Sequence, residues 1–142
     1  MFALLVLGLP LLTNALVPKE LYSPLIYRKV LDTFRALPDP TRYPQYTNRT
    51  AGDWLYFAPD TWTSGFLPAT AYALNARKPL CPSARQLQDI DWLSLGRAAS
   101  NALIPLEAEN SVGHDVGFLS FPFADELVVS VFFTCISHAS LI

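Results

Sequence analysis

Apolar side chains recur at Tyr22, Ile26, Val30, Phe34 and Leu37, steps of four, four, four and three that keep one face of a helix apolar. This spacing predicts a helix from Lys19 to Leu37, closed by Pro38 and Pro40. Proline lacks an amide donor and pushes the residue before it out of the α region. From Pro38 to about Thr61 no helical period continues, so this stretch reads as a long loop. Loops of that length inside a compact domain are either functional or disordered, and Tyr43, Tyr46, Trp54, Tyr56 and Phe57 argue against disorder.

The period returns near Ser64 to Pro68, where proline is tolerated in a first helical turn, and the Ala-rich ATAYALNAR carries a second helix to a stop before Pro79. A third helix is predicted after Pro82-Ser83, with Ser83 as N-cap, running through Leu87, Ile90, Trp92, Leu95, Ala99 and Leu103 until Pro105. Gly96 weakens that helix by about 1 kcal/mol relative to alanine. Asn110-Ser111-Val112-Gly113 then breaks the pattern and leads into His114-Asp115-Val116-Gly117-Phe118. The resulting order is helix, long aromatic loop, helix, helix, loop, with no strand repeat in view. The expected class is therefore all-α.

The two ends differ from this middle. MFALLVLGLPLLTNA is apolar, too short to span a bilayer as a helix, and ends with the small residues Thr13 and Ala15. It predicts a signal peptide over 1–15, cleaved after Ala15; a buried first helix of a cytosolic protein is the alternative. At the other end, 127–142 reads LVVSVFFTCISHASLI, with no formal charge. It resembles neither the helices before it nor a membrane anchor, and reads as an atypical, non-native tail such as translated intron or frameshifted sequence. Residues 16–126 form the expected domain. Asn48-Arg49-Thr50 is an N-glycosylation sequon in a polar loop, which together with the leader predicts a secreted, extracellular glycoprotein with no membrane anchor after cleavage.

Composition changes the picture by exclusion. With 51% apolar residues a core is possible, and a net charge of −2 without a Lys/Arg block gives no footprint for nucleic acid. Cys81 and Cys135 are too few for a disulfide scaffold, their pairing is open, and neither has zinc-ligand spacing. No glycine-rich phosphate loop and no nucleophile-elbow serine is present. What stands out are two short stretches, WTSGF at 62–66 and HDVGF at 114–118, each with a polar or ring-bearing pair ahead of Gly-Phe at a helix edge. Taken alone, His114-Asp115 reads equally as an exposed Asp beside a capping His, and Trp62 as a rim aromatic.

Taken in order, WTSGF, an Ala-rich helix, a second helix containing Trp92 and Ala98-Ala99, and then HDVGF resemble the first part of the unsaturated glucuronyl hydrolases, a glycoside hydrolase family. The similarity runs from about Tyr27 to Phe121, and HDVGF is its most specific part. The resemblance implies an α/α toroid of six helical hairpins, of which the chain holds the first few helices. It makes Asp115 the catalytic acid/base, His114 and Phe118 its substrate-binding neighbours, and Trp62 a substrate-contacting ring. The implied substrate is an oligosaccharide, left by a polysaccharide lyase, with an unsaturated uronic acid at its non-reducing end. The implied reaction is hydration of the double bond, without metal or cofactor. Hydrating a vinyl ether needs a proton at one alkene carbon and water at the other, and an Asp buried beside Phe118 and Trp62 would hold that proton.

Several features depart from the family. The second aspartate and the later pocket residues used by these enzymes have no counterpart here, the likeness fades after Phe123, and Leu-Pro-Ala follows WTSGF where bulkier, glycine-containing residues are expected. The resemblance therefore implies a fragment, inactive as it stands. Two other readings stay open: a small secreted module that binds glycans or a protein without catalysis, and a member of another helical-toroid hydrolase group.

Overall fold

The computed structural model describes residues 23–121 and residue 124. Its first helix, α1, spans Leu25–Arg35. The row of apolar residues is real but turned by one position from the expected stripe. Tyr27 is the buried residue, Val30 and Leu31 lie against one core cluster, and Phe34 and Leu37 against another. An i, i+3, i+4, i+7 set covers a wider face than a four-residue row, and so lets one helix bridge both clusters. The part of the predicted helix before Ser23 lies outside the described residues.

The stretch expected as a loop holds an antiparallel hairpin, β1 (Tyr43–Thr47) and β2 (Trp54–Phe57). This corrects the all-α expectation: about half of the described residues are helical, and a two-stranded sheet accompanies them. Ring-rich YPQYT and WLYF suit a pleated surface. Pro44, which argues against a strand in a central position, is harmless here because both strands of a two-stranded sheet are edges. Tyr43 pairs with Phe57 and Tyr46 with Leu55, and the register shifts between Pro44 and Tyr46, leaving Gln45 as the extra residue of a bulge. Asn48 and Asp53 close the turn with a 2.8 Å backbone hydrogen bond, and Gly52 takes the positive φ of 77° that the turn requires.

Helix α2 spans Phe66–Arg77 with Pro68 in its first turn, as expected, and buries Leu67, Ala71, Tyr72 and Leu74. The predicted third helix is two helices, α3 (Arg85–Gln88) and α4 (Trp92–Asn101). Ser83 does not cap; α3 has no side-chain cap, while Asp91 caps α4 by accepting from the Ser94 amide at 3.0 Å and the Ser94 hydroxyl at 2.7 Å. Competition from that cap breaks the helix at 89–91. The fully buried Trp92 then ties the two pieces, its indole N–H donating to the Leu87 carbonyl at 3.0 Å.

α2 and α4 pack side by side. Gly96 makes this possible: a Cβ there would meet the Tyr72 ring at 3.1–3.2 Å. One cluster joins Tyr43, Leu67, Tyr72, Ala99 and Leu103; the other joins Tyr27, Leu74, Leu87 and Trp92, with Cys81 against it. Cys135 lies outside the described residues. Two 3₁₀ turns follow, Ile104–Glu107 and Gly113–Val116, and residues 117–121 continue as helix, sending Leu119 into the interior. Among the described residues no helix is long and apolar enough to cross a membrane.

Candidate functional site

WTSGF sits where the chain enters α2, and HDVGF sits in the second 3₁₀ turn and the helical residues after it. Two contacts bring these distant stretches together. Upstream of each motif, Asp60 accepts from the Ser111 amide at 2.8 Å and from the Ser111 hydroxyl, across 51 residues of sequence. Within the motifs, the Gly65 backbone lies so close to the second segment that a Cβ there would come 2.2 Å from the Phe118 carbonyl oxygen and 2.6 Å from that of Leu119. Only glycine allows this approach.

The approach assembles three rings. Trp62 meets Phe66 edge-on at 6.3 Å between centroids and Phe118 at 6.0 Å, and Phe66 and Phe118 are 6.2 Å apart. All three remain between 42% and 48% exposed, so they present ring faces rather than fill a core. Beside them an open pocket of about 530 Å³ is lined by Phe66, His114, Gly117, Phe118 and Phe121.

Of the sequence-predicted residues, His114 and Phe118 line this pocket, and Trp62 reaches it through its ring contacts with Phe66 and Phe118. Asp115 stands outside the lining. Its carboxylate lies 3.3 Å from His114 Nε2, and its side chain keeps 35% exposure, so the burial expected beside Phe118 and Trp62 is not provided by the described residues. The His114 side chain is 94% exposed. Asn48 is at the exposed hairpin turn, its side-chain oxygen accepting from the Thr50 and Ala51 amides.

Sequence reasoning missed Phe66, Gly65 and the Asp60–Ser111 tie. Phe66 and Gly65 were visible inside WTSGF, but their role depends on a partner segment that local pattern does not reveal. Among the described residues no group of three or more His, Cys, Asp or Glu is placed to hold a metal ion. Comparison with protein-family models, curated proteins and solved structures finds no match to the chain.

Proposed function

We propose that these residues form the terminal-sugar pocket of a secreted glycoside hydrolase similar to the unsaturated glucuronyl hydrolases, as part of an α/α six-hairpin toroid. One observation supports the reading: the two stretches on which the resemblance rests converge in space and border an open pocket lined by Phe66, Phe118 and His114. Flat apolar faces flanked by a few polar groups are the usual lining of a small-ligand site. In this reading Trp62 and Phe118 flank the unsaturated uronic acid and His114 hydrogen-bonds its carboxylate or a hydroxyl. Asp115 gives a proton to one alkene carbon, water adds at the other, and the water's proton restores the acid.

A second reading, a glycan-binding module without catalysis, is favoured by the position of Asp115 outside the pocket lining. The double bond's ultraviolet absorbance separates the two. In an enzyme that joins these residues to the remaining hairpins, Asp115→Asn keeps shape and hydrogen bonding but cannot deliver a proton. The expected loss is at or above the top of the roughly 10²- to 10⁴-fold range of general acid catalysis. A variant that is folded by circular dichroism and within tenfold of the parent rate removes Asp115 from the chemistry and leaves the binding module.

A further inference from the structure

The two faces of the hairpin are covered differently. Thr47, Trp54 and Tyr56 line a groove whose other wall is Lys29, Val30 and Thr33 of α1. Successive strand residues point to opposite faces, so Leu55 and Phe57, with Tyr46 paired to Leu55, lie on the face turned away from α1. There the Tyr46 and Phe57 rings meet at 5.0 Å between centroids, tilted by 45°, and continue the strip that Leu55 begins. Much of this strip stays in solvent: Tyr46 is 53% exposed and Leu55 37%.

The next position on that face is a sugar acceptor. The ladder reaches one residue past β1, where the Asn48 amide donates to the Asp53 carbonyl at 2.8 Å. Asn48 therefore follows Tyr46 on the same face, roughly 7 Å along the strand. Asn48-Arg49-Thr50 is exposed throughout, and no other Asn in the chain has Ser or Thr two places on. The turn fixes the acceptor through its oxygen alone: Asn48 Oδ1 accepts from the Thr50 amide at 2.9 Å and the Ala51 amide at 3.2 Å. Among the described residues, Asn48 Nδ2 and the Thr50 hydroxyl have no hydrogen-bond partner. An N-linked sugar replaces one hydrogen on Nδ2 and leaves the carbonyl oxygen as an acceptor, so modification keeps both turn hydrogen bonds.

We infer that Asn48 carries an N-linked glycan whose first N-acetylglucosamine lies on the Tyr46 ring and covers the outer face of the hairpin. The donor is an oligosaccharide linked to a lipid diphosphate. Transfer breaks the bond between C1 of the first sugar and the phosphate oxygen and forms a bond from C1 to Nδ2. Nδ2 gives up one proton, and the lipid diphosphate leaves. A pyranose has a face of C–H groups, and laying it on Tyr46 takes apolar surface of both partners out of water. The sugar thus supplies for the outer strip the cover that α1 supplies for the inner one. The inference is independent of the pocket beside His114 and shares with the function proposed above only passage through the secretory route.

The test expresses the full 142-residue chain, with its own N-terminus, in animal cells that attach high-mannose glycans, and the same chain in bacteria. The secreted protein is expected to lose the mass of one glycan on treatment with peptide N-glycosidase, and Asn48→Gln to carry none. Endoglycosidase H then leaves a single N-acetylglucosamine on Asn48. That form is expected to melt about 2–4 °C above the bacterial protein, and the increment is expected to vanish in Tyr46→Thr. A second readout does not depend on melting. In the parent the acetyl methyl proton signal of the sugar is expected upfield of that in free N-acetylglucosaminyl-asparagine, through the ring current of Tyr46, and at the free position in Tyr46→Thr. A glycan that only solubilises the chain would give equal melting increments in both and no upfield signal. The inference is overturned by those results, or by an exported chain unmodified at Asn48, which leaves the pocket beside His114 standing. A chain that is not exported overturns both this inference and the secretory part of the proposed function.

Discussion

Tyr43 joins the hairpin to α4 through one hydroxyl. It is 1% exposed, and its O–H donates to the Ala99 carbonyl in a buried contact. Burial disfavours the phenolate and pushes the Tyr43 hydroxyl up to about 12 from its ordinary value of 10.0. Because the fold favours the neutral phenol, its contribution to stability is complete below pH 10 and is lost as pH rises from 10 to 12. Tyr43→Phe leaves the Ala99 carbonyl without its partner, and an unsatisfied buried group costs about 1–3 kcal/mol. Urea midpoints should therefore show the variant less stable than the parent at pH 8, with the gap closing toward pH 12. A gap that stays constant across that range would mean the hydroxyl does not titrate with folding. Local pattern marked Tyr43 as one ring among several in a loop. What it did not carry was the partner, which lies 56 residues further along the chain.

Among the elements, those that follow from a continuous period were legible and those set by a local competition were not. The bounds of α2 follow from Pro68, the small-residue run and Pro79, all visible in sequence. The hairpin was obscured because its strands are only five and four residues long and one contains proline, so neither builds a period. The break between α3 and α4 was obscured because Leu87, Ile90 and Leu95, at i, i+3 and i+8, keep a helical spacing across it. The overlooked signal was Asp91 three residues ahead of Ser94, an N-cap pair inside an apparently continuous helix. Hydrogen bonds from the Ser94 hydroxyl and amide hold the Asp91 carboxyl below its usual range. Its stabilising effect is therefore present above the unfolded-state value near 3.8 and fades as pH falls through the lower folded-state value. Asp91→Ala should cost about 0.5–2 kcal/mol at neutral pH, the usual loss for an N-cap. Thermal melts at pH 7 should show that loss, and at pH 2.5 the difference from the parent should shrink. Asp91→Asn, which still accepts a hydrogen bond, should recover most of it at pH 7.

At the scale of the whole molecule the candidate site depends on a contact between segments that are far apart in sequence. Trp62, His114 and Phe118 stood out in sequence as candidates because each belongs to a short, unusual motif, but nothing local says that the motifs meet. They meet through Gly65, where two carbonyl oxygens of the 117–121 segment occupy the space a side chain would need. Gly65→Ala places a methyl carbon 2.2 Å from the Phe118 oxygen, and because the opposing atoms are backbone, the clash cannot be relieved by turning a rotamer. Overpacking of this kind costs about 1–3 kcal/mol, and more where the surroundings cannot move. The cheapest escape is separation of the two segments, which would pull Leu119 out of the interior and part Trp62 from Phe118. Gly52→Ala is the control: its positive φ makes alanine strained by roughly 1–2 kcal/mol, but nothing lies within 4 Å of the added carbon and the turn is remote in sequence from both motifs. Both variants should melt earlier than the parent. Only Gly65→Ala should also shift the Trp62 emission toward that of a solvated indole, measured in a Trp54→Phe background so that Trp62 and the buried Trp92 are the emitters. If Gly65→Ala melts earlier yet leaves Trp62 emission as in the parent, the rings do not depend on this junction, and the convergence of WTSGF with HDVGF loses its weight as support for a shared sugar site.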